Sequence, residues 1–352
     1  MDDKEIEIIE FDELNGSSEV EMIDFSLDNS IPSIDLSSFK ILKLGDNLTT
    51  KKYVTNPAIA REDEIKKLMM VLLTPDKSGL LIGKPGIGKT AIVEGLAYLI
   101  QKDEVPNALK GYTILKFNSP SLVGSITENG KEDMIINVLV NELKKVSKVI
   151  IFIDEIHTLI GSQTDGPMDL ANILKPALDR GDVKAIGATT TQEYETYVIR
   201  DRAFLRRFER VDVLEPDEAT TVKILLGSLK RIENQTGIKF KYNEYMAGLL
   251  IESIVSATSE YKRIYGLAAM YPDVAFSVLS GAFSQALYQN KSEVDIVDIY
   301  NAIKCSKRIY PDSIVKELKL FKEKFKLFCE QEKIILPDVT IEDVKVDQGS
   351  NY

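Results

Sequence analysis

The stretch Gly83-Lys84-Pro85-Gly86-Ile87-Gly88-Lys89-Thr90 decides the fold of this 352-residue chain. It follows a short apolar run that predicts a strand, and it opens a stretch that predicts a helix. Its glycines allow backbone N–H groups to turn inward around phosphate oxygens. In this strand–loop–helix context, a GxxxxGKT pattern indicates a nucleotide-binding phosphate loop.

The loop predicts which residues hold the nucleotide and its metal. The Lys89 ammonium is expected on the β- and γ-phosphates, and the Thr90 hydroxyl is expected to ligate Mg²⁺. ATP and Mg²⁺ are therefore the expected cofactors. The residues expected to line the phosphate site are Gly83, Pro85, Gly86, Ile87, Gly88, Lys89, Thr90 and Ala91.

Outward from the loop, short apolar runs alternate with helical patterns. The runs are Gly79–Gly83, Tyr112–Phe117, Val149–Asp154, Val183–Thr189 and Arg210–Leu214. The helical patterns are Arg61–Leu73, Thr90–Gln101, Glu132–Val146, Met168–Arg180 and Thr191–Arg200. This alternation predicts an α/β fold with a parallel five-stranded sheet covered by helices on both faces.

After Glu215-Pro216-Asp217 the sequence becomes almost entirely helical. The predicted helices are Glu218–Arg231, Asn243–Ala257, Asp273–Gln289, Asp295–Cys305 and Pro311–Lys333. The last one carries a seam of apolar residues, for which packing on the small domain is favoured over a separate partner helix: Ile314, Leu318, Phe321, Phe325 and Phe328. The polar segment after Pro337 is expected to be loose.

These patterns predict four parts of the chain. Residues 1–36 form an acidic, disordered tail, and residues 37–215 form the large α/β domain. Residues 216–310 form a C-terminal helical lid domain, and residues 311–352 form a final helix and tail.

The charge is concentrated at one end. The chain has 44 Lys and Arg against 55 Asp and Glu, a net charge of −11. Residues 1–36 hold twelve acidic residues and one basic residue, so the remainder is neutral. A neutral body gives no support for general nucleic-acid binding, which usually requires a basic face.

The acidic segment also carries regularly interleaved apolar side chains, among them Ile6, Ile8, Phe11, Val20 and Phe25. Acidic–hydrophobic alternation is typical of a segment that folds on a partner. A solvating tail that keeps the particle soluble is an equally good interpretation. The segment is thus a candidate binding region for an unidentified protein partner.

Composition also excludes several classes of protein. No apolar run reaches the ~18 residues that a membrane helix needs, and the acidic start of the chain does not resemble a secretory signal. Two cysteines, Cys305 and Cys329, cannot form a disulfide framework. A cytoplasmic location is therefore expected. The single histidine, His157, argues against His-based zinc sites and most His-based catalysis.

The run Val149–Ile153 ends in two carboxylates, Asp154 and Glu155. Charges at the end of a buried strand are costly unless they serve a metal or a water molecule. After a phosphate loop, Asp154 is expected to hold Mg²⁺ through a water molecule and Glu155 to polarise the attacking water. A helix cap is the alternative that the pair alone would allow.

Two further elements complete a catalytic set. Gly187-Ala188-Thr189-Thr190 ends another predicted strand, where a hydroxyl could help place the water, although a helix N-cap is also common there. Arg206 and Arg207 could reach the γ-phosphate of a neighbouring subunit, an effect of the order of 10³–10⁵ in rate. Alone, an arginine pair is usually a solvated face.

Several strings, taken in order, are similar to the first ATPase module of the Clp-type AAA+ chaperones. They are Asn56–Arg61, Gly88–Ala97, Phe152–Thr158, Asn172–Leu178 leading into Gly187–Thr190, and Tyr271–Asp273. The resemblance spans about residues 53–305. It implies an AAA+ P-loop NTPase with a helical lid, and a homo-oligomeric ring, expected to be a hexamer, with ATP bound between subunits.

The resemblance also implies residue roles. Thr190 is at the sensor-1 position, Arg206 and Arg207 are the arginine fingers, and Glu155 is the catalytic glutamate. Ile59 is expected to contact adenine. His157 matches a family position at which a structural role is favoured over a catalytic one.

The chain departs from the family at two places. The stretch Ser125–Lys131, which matches the central pore loop, has no aromatic residue, and Glu128 lies near where one belongs. Val274 follows Pro272-Asp273, so no basic sensor-2 residue is evident there. These departures put general unfolding of protein chains in question and leave the ATPase core intact.

The sequence therefore predicts Mg²⁺-dependent ATP hydrolysis coupled to remodelling of a specific protein partner or assembly. Two alternatives remain at this stage. One is an ATPase accessory to a nucleic-acid process such as replication or packaging. The other is a scaffold that binds ATP to change conformation, which would not need Glu155, Thr190 and Arg206.

Overall fold

A computed structural model describes residues 35–122, 124–128, 131–160, 183–265 and 270–347. The predicted helix Met168–Arg180, the string Asn172–Leu178 and the acidic segment before residue 35 lie outside the described residues. Among the residues described, no helix is both long enough and apolar enough to cross a bilayer.

The strands are β1 (Asp46–Asn47), β2 (Ser78–Ile82), β3 (Thr113–Asn118), β4 (Ser125–Glu128), β5 (Lys131–Met134), β6 (Val149–Asp154), β7 (Val183–Thr189), β8 (Phe208–Asp212), β9 (Lys239–Phe240) and β10 (Glu293–Val294). The helices up to residue 207 are α1 (Glu62–Leu73), α2 (Lys89–Gln101), α3 (Ser119–Leu122), α4 (Ile135–Leu143), α5 (His157–Ile160), α6 (Thr191–Glu193) and α7 (Arg202–Arg207). The later helices are α8 (Glu218–Thr236), α9 (Glu244–Ala257), α10 (Asp273–Tyr288), α11 (Ile296–Lys304), α12 (Pro311–Lys324), α13 (Lys326–Glu332) and α14 (Ile341–Asp347).

The main sheet has the order β1-β3-β6-β7-β2-β8. The five predicted strands are present and run parallel, and the short edge strand β1 adds an antiparallel pair with β3. Alternate side chains of the sheet enter two buried clusters, with Leu80 and Ile151 in one and Leu81 and Phe152 in the other. Helices therefore cover both faces, as a buried parallel sheet requires.

Three local predictions were wrong. Residues 132–134 do not begin a helix but belong to β5, which pairs antiparallel with β4, so that α4 starts only at Ile135. The predicted helix Thr191–Arg200 is a single turn followed by a π-helical segment, Tyr194–Val198. The segment after Pro337 is not uniformly loose, because α14 buries Val344 completely.

The helical part of the chain has its own apolar cluster, to which α8 to α14 contribute. The apolar seam of the final predicted helix packs into this cluster, with Ile314, Leu318, Phe321 and Phe325 all buried. Packing on the small domain is therefore the interpretation that the structure supports. That helix is divided at Phe325 into α12 and α13. The domain boundaries after residues 36, 215 and 310 remain predictions.

The segment before β1 is attached to α4 through one buried carboxylate. Glu142 is 6% exposed, and its two oxygens accept hydrogen bonds from the backbone N–H groups of Lys40, Ile41 and Leu42, at 2.6, 3.0 and 2.9 Å. Ile41 and Leu42 then pack into the cluster on that face of the sheet. A carboxylate that accepts several N–H groups is a strong anchor, because these hydrogen bonds are charge-assisted.

Replacing Glu142 with Ala should remove the carboxylate that accepts from residues 40–42 and leave the N–H groups of the two buried residues, Ile41 and Leu42, without this acceptor. We expect the free energy of unfolding to fall by about 2–4 kcal/mol, since each unsatisfied buried donor costs about 1–3 kcal/mol and some regain water. Urea unfolding measures the loss, and amide exchange at residues 40–42 should accelerate in parallel. The exposed Asn141→Ala variant on the same helix is the control, and equal effects in both variants would contradict the anchor.

Candidate nucleotide site

The carboxyl ends of β2, β6 and β7 meet at one edge of the sheet. In the parallel register, Ile82 of β2 is opposite Thr189 of β7, and Ile153 of β6 is opposite Gly187 of β7. The phosphate loop follows β2, and Asp154 ends β6. Ligands of open parallel sheets bind outside this edge. The fold therefore brings the predicted motifs to one place.

The phosphate loop is shaped by two glycines and a lysine. Gly86 and Gly88 adopt positive φ angles of 76° and 98°, a region that side chains strongly disfavour. The Lys89 Nζ donates to the carbonyl oxygens of Gly83 at 2.8 Å and Lys84 at 3.1 Å, and so closes the loop on itself. Helix α2 begins at Lys89, so the loop presents a helix N-terminus to an anion.

The loop lysine is partly desolvated. Burial lowers the pKa of Lys89, while the nearby carboxylates of Asp154 and Glu193 act in the opposite direction. Both carboxylates line the same cleft of about 440 Å³ as Lys89 and Thr90. A partly buried ammonium interacts more strongly with a phosphate than an exposed one does, because water screens it less.

A pair of oxygen donors marks the expected metal position. The Thr90 hydroxyl donates to Asp154 Oδ2 at 3.0 Å, so the two residues predicted to hold Mg²⁺ are already in contact. Mg²⁺ prefers hard oxygen ligands and keeps several waters, so one carboxylate and one hydroxyl beside a phosphate site suit it. The residues present therefore fit the metal.

Glu155 lies beside this pair in a constrained backbone. Its φ angle is 53°, in the left-handed region, and its side chain is exposed to the cleft. The hydroxyls of Ser119 and Thr158 both donate to its carbonyl oxygen, at 3.2 and 3.1 Å. A strained conformation persists where the surroundings fix it, and such positions concentrate at functional sites.

Thr190 is the N-cap of α6, and it also lines the cleft. Its hydroxyl accepts from the N–H of Glu193 at 3.2 Å, and its own N–H donates to Glu193 Oε2 at 3.0 Å. Thr190 is therefore a helix cap, as one interpretation of the sequence expected. The capping position also lies in the cleft, so it is compatible with the predicted catalytic role.

The Glu193 carboxylate joins this cap to the helix that follows Glu155. His157 Nδ1 lies 3.1 Å from Glu193 Oε2 and 3.2 Å from the Thr189 hydroxyl. Burial alone would raise the pKa of Glu193, but hydrogen bonds from Thr190 and the charge of His157 hold it below its ordinary value. His157 therefore has a structural partner in the site.

A second, narrower pocket lies next to the loop. Ile59, Gly86, Ile87, Gly88 and Ala91, all of which are predicted to bind the cofactor, line it from the α/β part of the chain. From the helical part, it is lined by Ile224, Ser228, Arg231, Pro272, Asp273 and Phe276. An apolar slot beside a phosphate loop can accept a flat base.

Arg61 also lines this pocket and connects two segments of the α/β part. The residue is 5% exposed, with Nη2 donating to the Ile87 carbonyl at 2.7 Å and Nη1 to the Leu214 carbonyl at 3.1 Å. Nη1 also pairs with Glu64 at 2.7 Å. One guanidinium therefore links the phosphate loop to the chain segment that leaves the sheet for α8.

The predicted arginines lie elsewhere. Arg206 and Arg207 end α7, and neither lines the cleft or the narrower pocket. The Arg206 side chain is exposed, and its carbonyl oxygen accepts from Lys77 Nζ at 3.1 Å. All other predicted site residues converge on the two pockets, with Gly83 contacting Lys89 from the end of β2.

Sequence analysis missed three residues of this site. Glu193 could have been found from the Thr190-x-x-Glu193 spacing, which is a capping-box signature. Arg61 ends the string Asn56–Arg61, but its hydrogen-bond partners lie far along the chain and no local pattern indicates them. Arg231 enters the narrower pocket from α8, and no local pattern in the sequence indicates it.

Residues 79–215 match the family model described as "ATPase family associated with various cellular activities (AAA)". The chaperone protein ClpB of Porphyromonas gingivalis is 35% identical over 298 residues, which cover 84% of this chain and 32% of that protein. ClpB of Bacteroides thetaiotaomicron is 43% identical over 201 residues, or 56% of this chain and 23% of that protein.

Solved structures of yeast Hsp104 share the fold. The Hsp104–casein complex in its extended conformation has a TM-score of 0.62 at 32% identity, and it aligns with 74% of this chain and 44% of its own. A closed state with ATPγS and casein has a TM-score of 0.65 at 29% identity, over 88% and 52%. The chain thus spans less than a third of these curated relatives and about half of the solved chains.

Replacing Glu193 with Gln should lower the free energy of unfolding at pH 7, because the charged form is the one stabilised in the folded state. A glutamate whose folded pKa is depressed stabilises the protein above its unfolded pKa of about 4.3, and the contribution is lost as pH falls through the folded value. The difference between wild type and variant should therefore shrink from pH 7 towards pH 3.

Denaturant unfolding across this pH range measures the difference. Glu195→Gln is the matched control, because Glu195 is exposed two residues away and should show no pH-dependent change. A difference that stays constant or grows on acidification would contradict the proposed interaction.

Proposed function

We propose that this chain, which is a Clp-type AAA+ ATPase module, binds ATP with Mg²⁺ and hydrolyses it to ADP and phosphate. The observation that carries the proposal is the convergence of Lys89, Thr90, Asp154, Glu155 and Thr190 on one cleft. These residues come from three separate stretches of the chain, and hydrolysis of a nucleoside triphosphate requires each of their chemical types at one place.

The residues divide the chemistry as follows. The loop N–H groups and Lys89 would hold the phosphates, and Thr90 and Asp154 would hold Mg²⁺, which neutralises charge on the phosphate oxygens. The Glu155 carboxylate would orient and polarise the attacking water. Thr190 would assist from the end of β7. Ile59 and the apolar wall of the narrower pocket would hold the base.

Arg206 and Arg207 are proposed to act on the site of a neighbouring copy. Their position at the end of α7, outside both pockets of their own chain, supports this assignment. It requires a homo-oligomeric ring, and we propose a hexamer in the cytoplasm. The catalytic site, with its nucleotide bound between subunits, would then be complete only after assembly.

We propose that hydrolysis drives remodelling of a specific protein partner. The similarity to ClpB and Hsp104 supports a protein substrate, and the solved Hsp104 structures contain casein. The segment with the family's pore position forms the β4–β5 hairpin, where Ile126 is the bulky apolar residue. An acidic hairpin without an aromatic residue favours a dedicated partner over arbitrary chains, and the acidic segment before residue 35 is the proposed recruiting element.

The two alternative functions have less support. A nucleic-acid role would need a basic surface, and the chain after residue 36 is neutral. A scaffold that only binds ATP has no use for a carboxylate such as Glu155 held in the cleft.

Replacing Glu155 with Gln should reduce the rate of ATP hydrolysis by at least ~10²-fold while nucleotide affinity is retained. The amide keeps the size of the side chain but cannot act as a base, and general-base catalysis contributes 10²–10⁴-fold. Phosphate release measures the rate, and a fluorescent ATP analogue measures binding.

Two further variants serve as controls, one for nucleotide binding and one for a neutral substitution. Lys89→Ala should lose nucleotide affinity itself, whereas Glu195→Gln, at an exposed glutamate outside both pockets, should behave as wild type. Hydrolysis that survives Glu155→Gln at more than a tenth of the wild-type rate would contradict the role of Glu155.

The full-length Glu155→Gln chain, loaded with ATP, should retain one stoichiometric protein from an extract of the source cells. The matched variant replaces Ile6, Ile8, Ile9, Phe11 and Leu14 with Ser in the same background. It keeps every acidic residue but should lose the bound protein, because apolar side chains supply most of the affinity of such segments. Quantitative mass spectrometry identifies the retained proteins and their amounts in the two samples. A broad mixture of proteins in both samples would contradict a dedicated partner.

A further inference from the structure

A lysine that the sequence did not single out lies against the proposed metal ligand. Lys116, on β3, places its Nζ 3.4 Å from Asp154 Oδ2. The same oxygen accepts the hydrogen bond from Thr90 at 3.0 Å, while Oδ1 is 3.2 Å from the N–H of Glu155. Both oxygens of the carboxylate are therefore already engaged by this chain.

The position of Lys116 is set by the sheet. Lys116 is directly opposite Phe152 in the parallel register of β3 and β6, two residues before Asp154. Its Nζ lies 5.6 Å from the centroid of the Phe152 ring, within the range of a cation–π contact. Strand β3 and the buried Phe152 ring therefore hold the Lys116 ammonium in place beside Asp154.

An ammonium and a divalent cation compete for one carboxylate oxygen. Mg²⁺ at the Thr90–Asp154 pair would either displace the Lys116 ammonium or lie close to a like charge. Both cost free energy, because the two side chains are only about a quarter exposed and water screens them incompletely. The pair also keeps the Asp154 charge balanced before a metal arrives.

We propose that Lys116 is a resident counter-cation of Asp154 that competes with Mg²⁺ and raises the Mg²⁺ concentration needed for tight nucleotide binding. The inference rests on the proposed function, since it assumes that nucleotide and metal bind at this cleft. Lys116 is a positioning and metal-tuning residue here, and no catalytic step is assigned to it.

The test compares Lys116→Met, which removes the charge at similar length, with Lys116→Arg, which keeps it. Binding of a fluorescent ADP analogue is measured in EDTA and then across a Mg²⁺ titration. We expect the half-saturating Mg²⁺ concentration to fall at least three-fold in Lys116→Met and to stay within two-fold of wild type in Lys116→Arg. Affinity in EDTA should remain within two-fold of wild type in both.

A third variant tests whether the effect of Lys116 on the Mg²⁺ midpoint depends on the charge of Asp154. In an Asp154→Asn background, Lys116→Met should leave the Mg²⁺ midpoint unchanged, because the oxygen for which the two cations compete has lost its charge. An effect of full size in that background would overturn the proposal.

Two other results would also overturn it. An unchanged Mg²⁺ midpoint in Lys116→Met would show no competition. A loss of more than five-fold in affinity in EDTA would show that the ammonium contacts the nucleotide instead. Wild-type protein that binds no nucleotide at any Mg²⁺ concentration would remove the proposed function and this inference together, which distinguishes that failure from the other two.

Discussion

The Asp154 carboxylate is the constraint on which the site depends. Strand β6 is buried along Val149–Ile153, so a charge at its end must be satisfied by groups that neighbouring elements deliver. The helix after the phosphate loop brings Thr90, strand β3 brings Lys116, and the turn that follows brings the N–H of Glu155. These groups reach one carboxylate only because β3, β6, β7 and β2 lie side by side in parallel register.

Sequence patterns predicted the parts of the molecule that depend on local chemistry. The five parallel strands follow from continuous apolar runs, and the cleft follows from glycines, a lysine and carboxylates at strand ends. The contact of Lys116 with Asp154 could not be predicted, because it depends on which strand lies next to β3 in the sheet. Arg61 is similar, since its partners at Ile87 and Leu214 are distant in sequence. Residues 132–134 of β5 were assigned to the start of a helix because these polar residues carry no strand periodicity.

The helical part of the chain is linked to the nucleotide site by charge as well as by packing. Asp273, at the start of α10, lines the narrower pocket and pairs with Arg308 at 3.0 Å. Near the segment that joins the two parts, Glu215 accepts from Arg263 Nη1 and from the N–H of Tyr271, each at 2.8 Å. The buried Arg263 guanidinium also stacks on the Tyr271 ring at 4.1 Å. A ligand in this pocket would therefore contact Asp273, whose partner Arg308 also belongs to the helical part.

The Glu142 anchor has a mechanical consequence. It fastens residues 40–42 to α4, and α4 follows directly on the β4–β5 hairpin. Tension applied to the chain ahead of residue 40 would act on these three charge-assisted hydrogen bonds and on the packing of Ile41 and Leu42 before it reached β1. A force on the chain at this point would accordingly reach α4, the helix that directly follows the hairpin.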